Sequence, residues 1–187
     1  MSGKNLVRVH SYSFPSTSLM YVDIMFDREL PDYKPGYFVF LNAAPGEAAP
    51  GSASGRTFVL DKHMTMKVSP FKVAALAYAV RCYAAGTPSK VGGRFVMYTD
   101  SSKSSHVETE GAGKKSIMLA YGQGQEQSGN RDTVPPVQIR FKSGQDTPIV
   151  ISLSPAEAMA VAQDLNDAVT RCRELEFQRS LKRVKKG

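Results

Sequence analysis

The side chains that could do covalent or acid–base chemistry are few and poorly spaced for it. The three histidines, His10, His63 and His106, stand far apart. No His-Glu-x-x-His run and no His/Cys spacing suited to zinc occurs. Gly122-Gln-Gly124 lies in a Gly/Gln-rich stretch, but no Gly-Lys-Ser/Thr follows to complete a phosphate cradle. Asp100-Ser-Ser-Lys-Ser-Ser gathers an acid and hydroxyls, yet it lacks the glycine and the distal acid of a calcium loop. A Gly-x-Ser-x-Gly nucleophile elbow is absent as well. Cys82 and Cys172 belong to no Cys-x-x-Cys pair and cannot build a disulfide framework. Neither an enzyme nor a bound cofactor is expected.

Binding chemistry is better represented. Single-stranded nucleic acid is held by cations along its backbone and by aromatic faces that stack on its bases. Both kinds of residue fall on alternating segments: Arg94, Phe95 and Tyr98; Lys114, Lys115 and Tyr121; Arg140, Phe141 and Lys142. In an extended strand Arg140 and Lys142 share one face while Phe141 points to the other, so Phe141 is expected in the core. The same parity groups Arg94 with Tyr98, and Lys115 with Tyr121. Lys103 and Arg131, in flanking polar stretches, read as mobile clamps. A solvated, charged strand face would use the same residue types. The candidate binding set is therefore Arg94, Tyr98, Lys103, Lys114, Lys115, Tyr121, Arg131, Arg140 and Lys142.

The charge is unevenly placed. The 187 residues carry 24 Lys or Arg against 17 Asp or Glu, a formal +7. Residues 171–187 alone hold seven Lys or Arg and two Glu, leaving +2 for the rest. Such a basic end can contact phosphates, dock an acidic partner or aid solubility. Hydrophobic residues at 42% exclude a wholly disordered chain, and no apolar run is long enough to span a membrane. The first residues lack the apolar block of a secretory signal, and the first acid is Asp23. An intracellular location, cytoplasmic or organellar, is expected.

Strands should carry these side chains. Leu6–Phe14, Leu19–Phe26, Tyr37–Leu41, Arg56–Leu60 and His63–Val68 read as extended, and Asn42–Gly55, almost wholly Ala, Pro, Gly and Ser, as a mobile loop. Ser69-Pro70 is a cap followed by helical spacing over Pro70–Ala85. Arg94–Thr99, Lys115–Tyr121, Val137–Lys142 and Pro148–Leu153 form a second series of strands, with Gly122–Thr133 as a second mobile loop. Ser154-Pro155 with Glu157 is a capping box that opens a longer helix.

At an offset of 85 the halves superpose in register. Met64, Met66 and Val68 fall on Ile149, Ile151 and Leu153, and Ser69-Pro70 falls on Ser154-Pro155. Val73, Leu76, Ala77 and Val80 fall on Ala158, Val161, Ala162 and Leu165. The expected fold is α+β, one domain of two repeats (about 1–86 and 87–177), each a roughly four-stranded antiparallel sheet followed by a helix, with a mobile basic tail over 178–187.

This repeat resembles the Whirly family of single-stranded DNA-binding proteins and the kinetoplastid mitochondrial guide-RNA-binding proteins that share its fold. The closest likeness runs from Tyr98-Thr-Asp-Ser-Ser-Lys-Ser-Ser to Gly113-Lys-Lys-Ser-Ile-Met-Leu, and continues in Ile149–Leu153 with its Ser-Pro helix. The Lys-Gly-Lys-Ala signature that plant Whirly proteins carry on an early strand is missing from the first half. The resemblance implies a non-enzymatic protein that binds single-stranded DNA or RNA through its sheets, and a homo-oligomer, a tetramer assembled through helices. The alternative is a structural or assembly subunit of a nucleoprotein complex, docked through its basic end.

Overall fold

Period-two alternation builds both sheets. In β2 (Leu19–Asp27), Met20, Val22 and Ile24 are fully buried and lie opposite Ala43, Leu41 and Val39 of β3 (Tyr37–Ala44). Those in turn face Met64, Met66 and Val68 of β6 (Met64–Val68). β1 (Leu6–Pro15), with a register shift between Arg8 and His10, completes the antiparallel order β1-β2-β3-β6. A two-stranded hairpin of β4 (Gly46–Ala48) and β5 (Arg56–Phe58) is inserted between β3 and β6. The second sheet is a plain meander of β7 (Val96–Tyr98), β8 (Lys115–Tyr121), β9 (Val137–Ser143) and β10 (Ile149–Leu153). This computed structural model describes residues 6–16, 18–28, 30–31, 34–48, 56–98, 115–122, 134–144 and 146–184.

Each meander ends in a helix. Ser69 caps α1 (Pro70–Ala84) by accepting from the Lys72 N–H, and Gly86, at φ 69°, provides the left-handed step that ends it. α2 (Pro155–Val184) starts at the expected capping box: the Ser154 hydroxyl accepts from Glu157 N–H, and the Glu157 carboxylate accepts from Ser154 N–H at 2.7 Å. α1 lies against β8 and β9 as well as β3, whereas α2 lies against β1, β2, β3 and β10. The helices also pack on each other, so one core runs between the two sheets. Met66, Val68, Val73, Leu76, Ala77 and Val80 are buried, and so is each counterpart 85 residues on. The α+β fold of two sheet-and-helix units is the one expected from the repeat.

The Glu157 hydrogen bonds from the Ser154 hydroxyl, then from its backbone, hold the carboxyl below the usual glutamate range. Its stabilising contribution is thus full above the ordinary glutamate pKa and is lost as pH falls through the lowered folded value. Ser154→Ala is expected to cost about 1 kcal/mol at neutral pH and to reduce that acid-side loss, the backbone N–H of residue 154 still reaching the carboxylate, as denaturant melts at several pH values would show.

Two expectations are corrected. Asn42, Ala43 and Ala44 are buried residues of β3, and residues 46–48 pair with 56–58, so the Asn42–Gly55 stretch begins as strand; residues 49–55 lie outside the described residues. Small side chains here pack beneath neighbouring elements, which composition had suggested they could not. The chain end differs too: α2 stays helical to Val184. Glu176 accepts from the N–H groups of Gly36 and Tyr37. Arg179 donates to Lys34 O at 2.8 Å and Leu30 O at 3.1 Å. A Cβ at Gly36 would lie 2.9 Å from the Phe26 ring, so only glycine admits this close approach. Most of the Gly122–Thr133 stretch lies outside the described residues.

Candidate nucleic-acid interface

Because the helices fill the space between the sheets, each sheet has a second face turned away from them. On the second sheet that face is read from register. Tyr98 lies opposite Ser116, which lies opposite Lys142; Val96, Met118, Arg140 and Val150 form the adjacent row. Tyr98 is 55% exposed and Lys142 is exposed, so a ring and an ammonium share one open row. Arg140 Nε and Nη2 donate to Gln138 Oε1 at 3.0 and 2.6 Å, which ties the guanidinium to a neighbour on the same face of β9. Lys72, in the first turn of α1, donates through Nζ to Tyr98 O at 2.9 Å and fixes the edge strand that carries the ring.

Not every expected residue shares this face. Lys115 and Tyr121 do lie on one side of β8, but it is the side of buried Ile117 and Leu119. Lys115 Nζ donates to Thr65 O at 3.1 Å, tying the second sheet to β6. The Ser16 hydroxyl makes a matching link to Ser152 O, so the first hairpin of each sheet reaches the last strand of the other. Tyr121 donates to Tyr83 O at 2.9 Å, and its ring lies 5.1 Å from that of Tyr83. Both residues hold the fold together. Parity had paired them correctly, but only tertiary packing shows which side faces inward. Arg94 is exposed just before β7, and Phe141 is 1% exposed in the core. Lys103, Lys114 and Arg131 lie outside the described residues.

The first sheet supplies residues that the sequence reading missed. Phe38 and Phe40 alternate with buried Val39 and Leu41, so both rings stand on the outer side, half-buried. Lys67 lies opposite Phe40, and its Nζ sits 3.6 Å above the Phe38 ring, a cation–π contact. Burial pushes the Lys67 ammonium pKa down, and Asp27 partly offsets it. Tyr21 shares the face; burial, then Asp23, pushes its phenol pKa up. The signal was present in Tyr37–Leu41: the parity rule used on the second half separates Phe38 and Phe40 from Tyr37, Val39 and Leu41.

No group of three or more potential metal-binding side chains gathers among the described residues. Burial, reinforced by Glu176, pushes the Cys172 thiol up to about 11, so it stays protonated at neutral pH and packs as an apolar group. No helix among the described residues is long and apolar enough to cross a membrane.

Two four-stranded antiparallel meanders, each closed by a helix and packed through those helices, define a Whirly-like fold. The crystal structure of WHY1 from Arabidopsis thaliana has this fold: it matches 98% of this chain and 95% of its own length, with a TM-score of 0.50 and 16% sequence identity. No protein-family model matches the sequence, and no curated protein does.

Proposed function

We propose that this chain is a non-enzymatic module that binds single-stranded DNA or RNA across the outer faces of its sheets, with little sequence readout. One observation carries the reading: on both sheets the face away from the helices sets aromatic rings beside cations, as Phe38 with Lys67 and as Tyr98 with Lys142 across Ser116. Rings stack on bases and cations neutralise phosphates, which is the combination a flexible single strand requires. The Whirly resemblance points the same way. It also implies self-assembly through helices, and α1 leaves Phe71 and Tyr78, seven residues apart on one face, 77% and 54% exposed.

Titration with fluorescent single- and double-stranded oligonucleotides at two salt concentrations tests this. Single strands are expected to bind more tightly, with affinity falling as salt rises. Arg140→Ala with Lys142→Ala is expected to reduce the salt slope by about 1.4, since each phosphate neutralised on a single strand contributes roughly 0.7. Equal affinity for both strand types would count against single-strand binding, and an unchanged slope against the second sheet.

A second reading has its own support. Phe177 and Leu181, one turn apart near the basic end of α2, are 65% and 46% exposed. An assembly subunit could dock an acidic partner there. Loss of all oligonucleotide binding on removing residues 180–187, at every salt concentration, would favour it.

A further inference from the structure

The outer face of the first sheet holds a buried acid among its rings. Asp23 stands on the outer side of β2, across from Phe40, yet it is only 4% exposed. Its Oδ2 accepts from Asn42 Nδ2 at 3.2 Å and pairs with Arg8 at 3.1 Å. Asn42 Oδ1 in turn accepts from the Thr65 hydroxyl at 2.7 Å, so the amide cannot swing away. The second oxygen, Asp23 Oδ1, is buried and has no hydrogen-bond partner among the described residues. Burying a carboxylate oxygen without a donor is costly, and such an orphan calls for an explanation. Phe40 lies opposite Asp23 and Tyr21 opposite Asn42, so two rings frame the polar group.

Resting on the function proposed above, we infer that Asp23 reads one guanine base of a bound single strand. Guanine presents its N1–H and 2-amino N–H side by side, which matches the two oxygens of a carboxylate. Adenine and cytosine set a ring acceptor beside their amino group, and thymine and uracil flank a single N–H with carbonyls. Each of these turns a lone pair toward the acid. A base stacked on Phe40 or Tyr21 would bring its Watson–Crick edge to this position, the edge by which unpaired bases are read. Arg8 is the movable part: its side chain is 60% exposed against 6% for Asp23, and a pair with one partner so exposed is held weakly. On binding, the guanidinium moves to a phosphate while Asn42 and Thr65 keep the carboxylate in place. The surface thus has one selective position on an otherwise indifferent track.

Anisotropy titrations of the full chain with a short oligodeoxythymidylate test this, alongside strands carrying one central guanine or one central hypoxanthine. The guanine strand is expected to bind about tenfold tighter than the thymine strand, in the range of a good bidentate base contact. Hypoxanthine, which lacks the 2-amino group, should lose most of that gain, a comparison that needs no variant. Asp23→Asn should abolish the preference while still binding the thymine strand, and Arg8→Ala should keep it. Equal affinity of the unmodified protein for guanine and thymine strands would overturn the inference and leave the binding function standing. So would an Asp23→Asn protein with its preference intact. Failure to bind any strand would overturn the binding function and this inference together.

Discussion

Replacing Phe38 and Phe40 together with leucine is expected to weaken single-strand binding by about thirtyfold or more. Stacking on an aromatic side chain is worth about 1–3 kcal/mol per base, and two rings are removed at once. Leucine keeps much of the apolar bulk, so the half-buried outer face stays covered and the loss reports the ring faces themselves. The salt slope should not change, because neither ring carries charge; Lys67 remains, although its ammonium loses the Phe38 ring beneath it. This separates stacking from phosphate neutralisation, which the Arg140 and Lys142 changes address. Unchanged affinity in a folded double variant would remove the first sheet from the binding surface.

The largest stability effect is expected at Phe141. Its ring is 1% exposed and lies between Ile117 of β8 and Ile149 of β10, on the side of β9 opposite Arg140 and Lys142. Truncation to alanine removes the ring and leaves a cavity that close-packed neighbours only partly fill, at a cost of about 3–5 kcal/mol. Against a typical total of about 5–15 kcal/mol this is a large share. Guanidinium melts should show a lower midpoint with an unchanged slope. The protein that remains folded should keep its oligonucleotide affinity, because the outer face has not been altered. A loss of affinity with little loss of stability would instead place Phe141 on the binding surface.

The repeat was the most legible part of the sequence. Alternation set strands, Ser-Pro set helix starts, and the 85-residue offset joined them into two units whose matched apolar helix positions are buried together. Those signals are local, and local periodicity is what a sequence displays directly. The site was legible by half. Parity alone grouped Tyr98 with its neighbours and sent Phe141 inward. It could not tell that the Lys115 and Tyr121 side of β8 faces the core, because both faces of that strand carry polar or small residues at their ends. The first sheet was overlooked for a different reason. Phe38 and Phe40 stand next to Val39 and Leu41, and a run of large apolar residues reads as core until the helices are seen to cover only one side. The anchoring of Arg179 on the β2–β3 turn was not legible at all, since it joins residues about 145 positions apart.

The most direct test of the sheet surfaces is photocrosslinking of a single-stranded oligonucleotide containing 4-thiouracil, followed by mass spectrometry of the crosslinked peptides. Adducts are expected on Phe38, Phe40 or Tyr21 of the first sheet and on Tyr98 of the second, all competed away by unlabelled single strand. Adducts confined to residues 171–187, with both sheets unmarked, would contradict binding through the sheets.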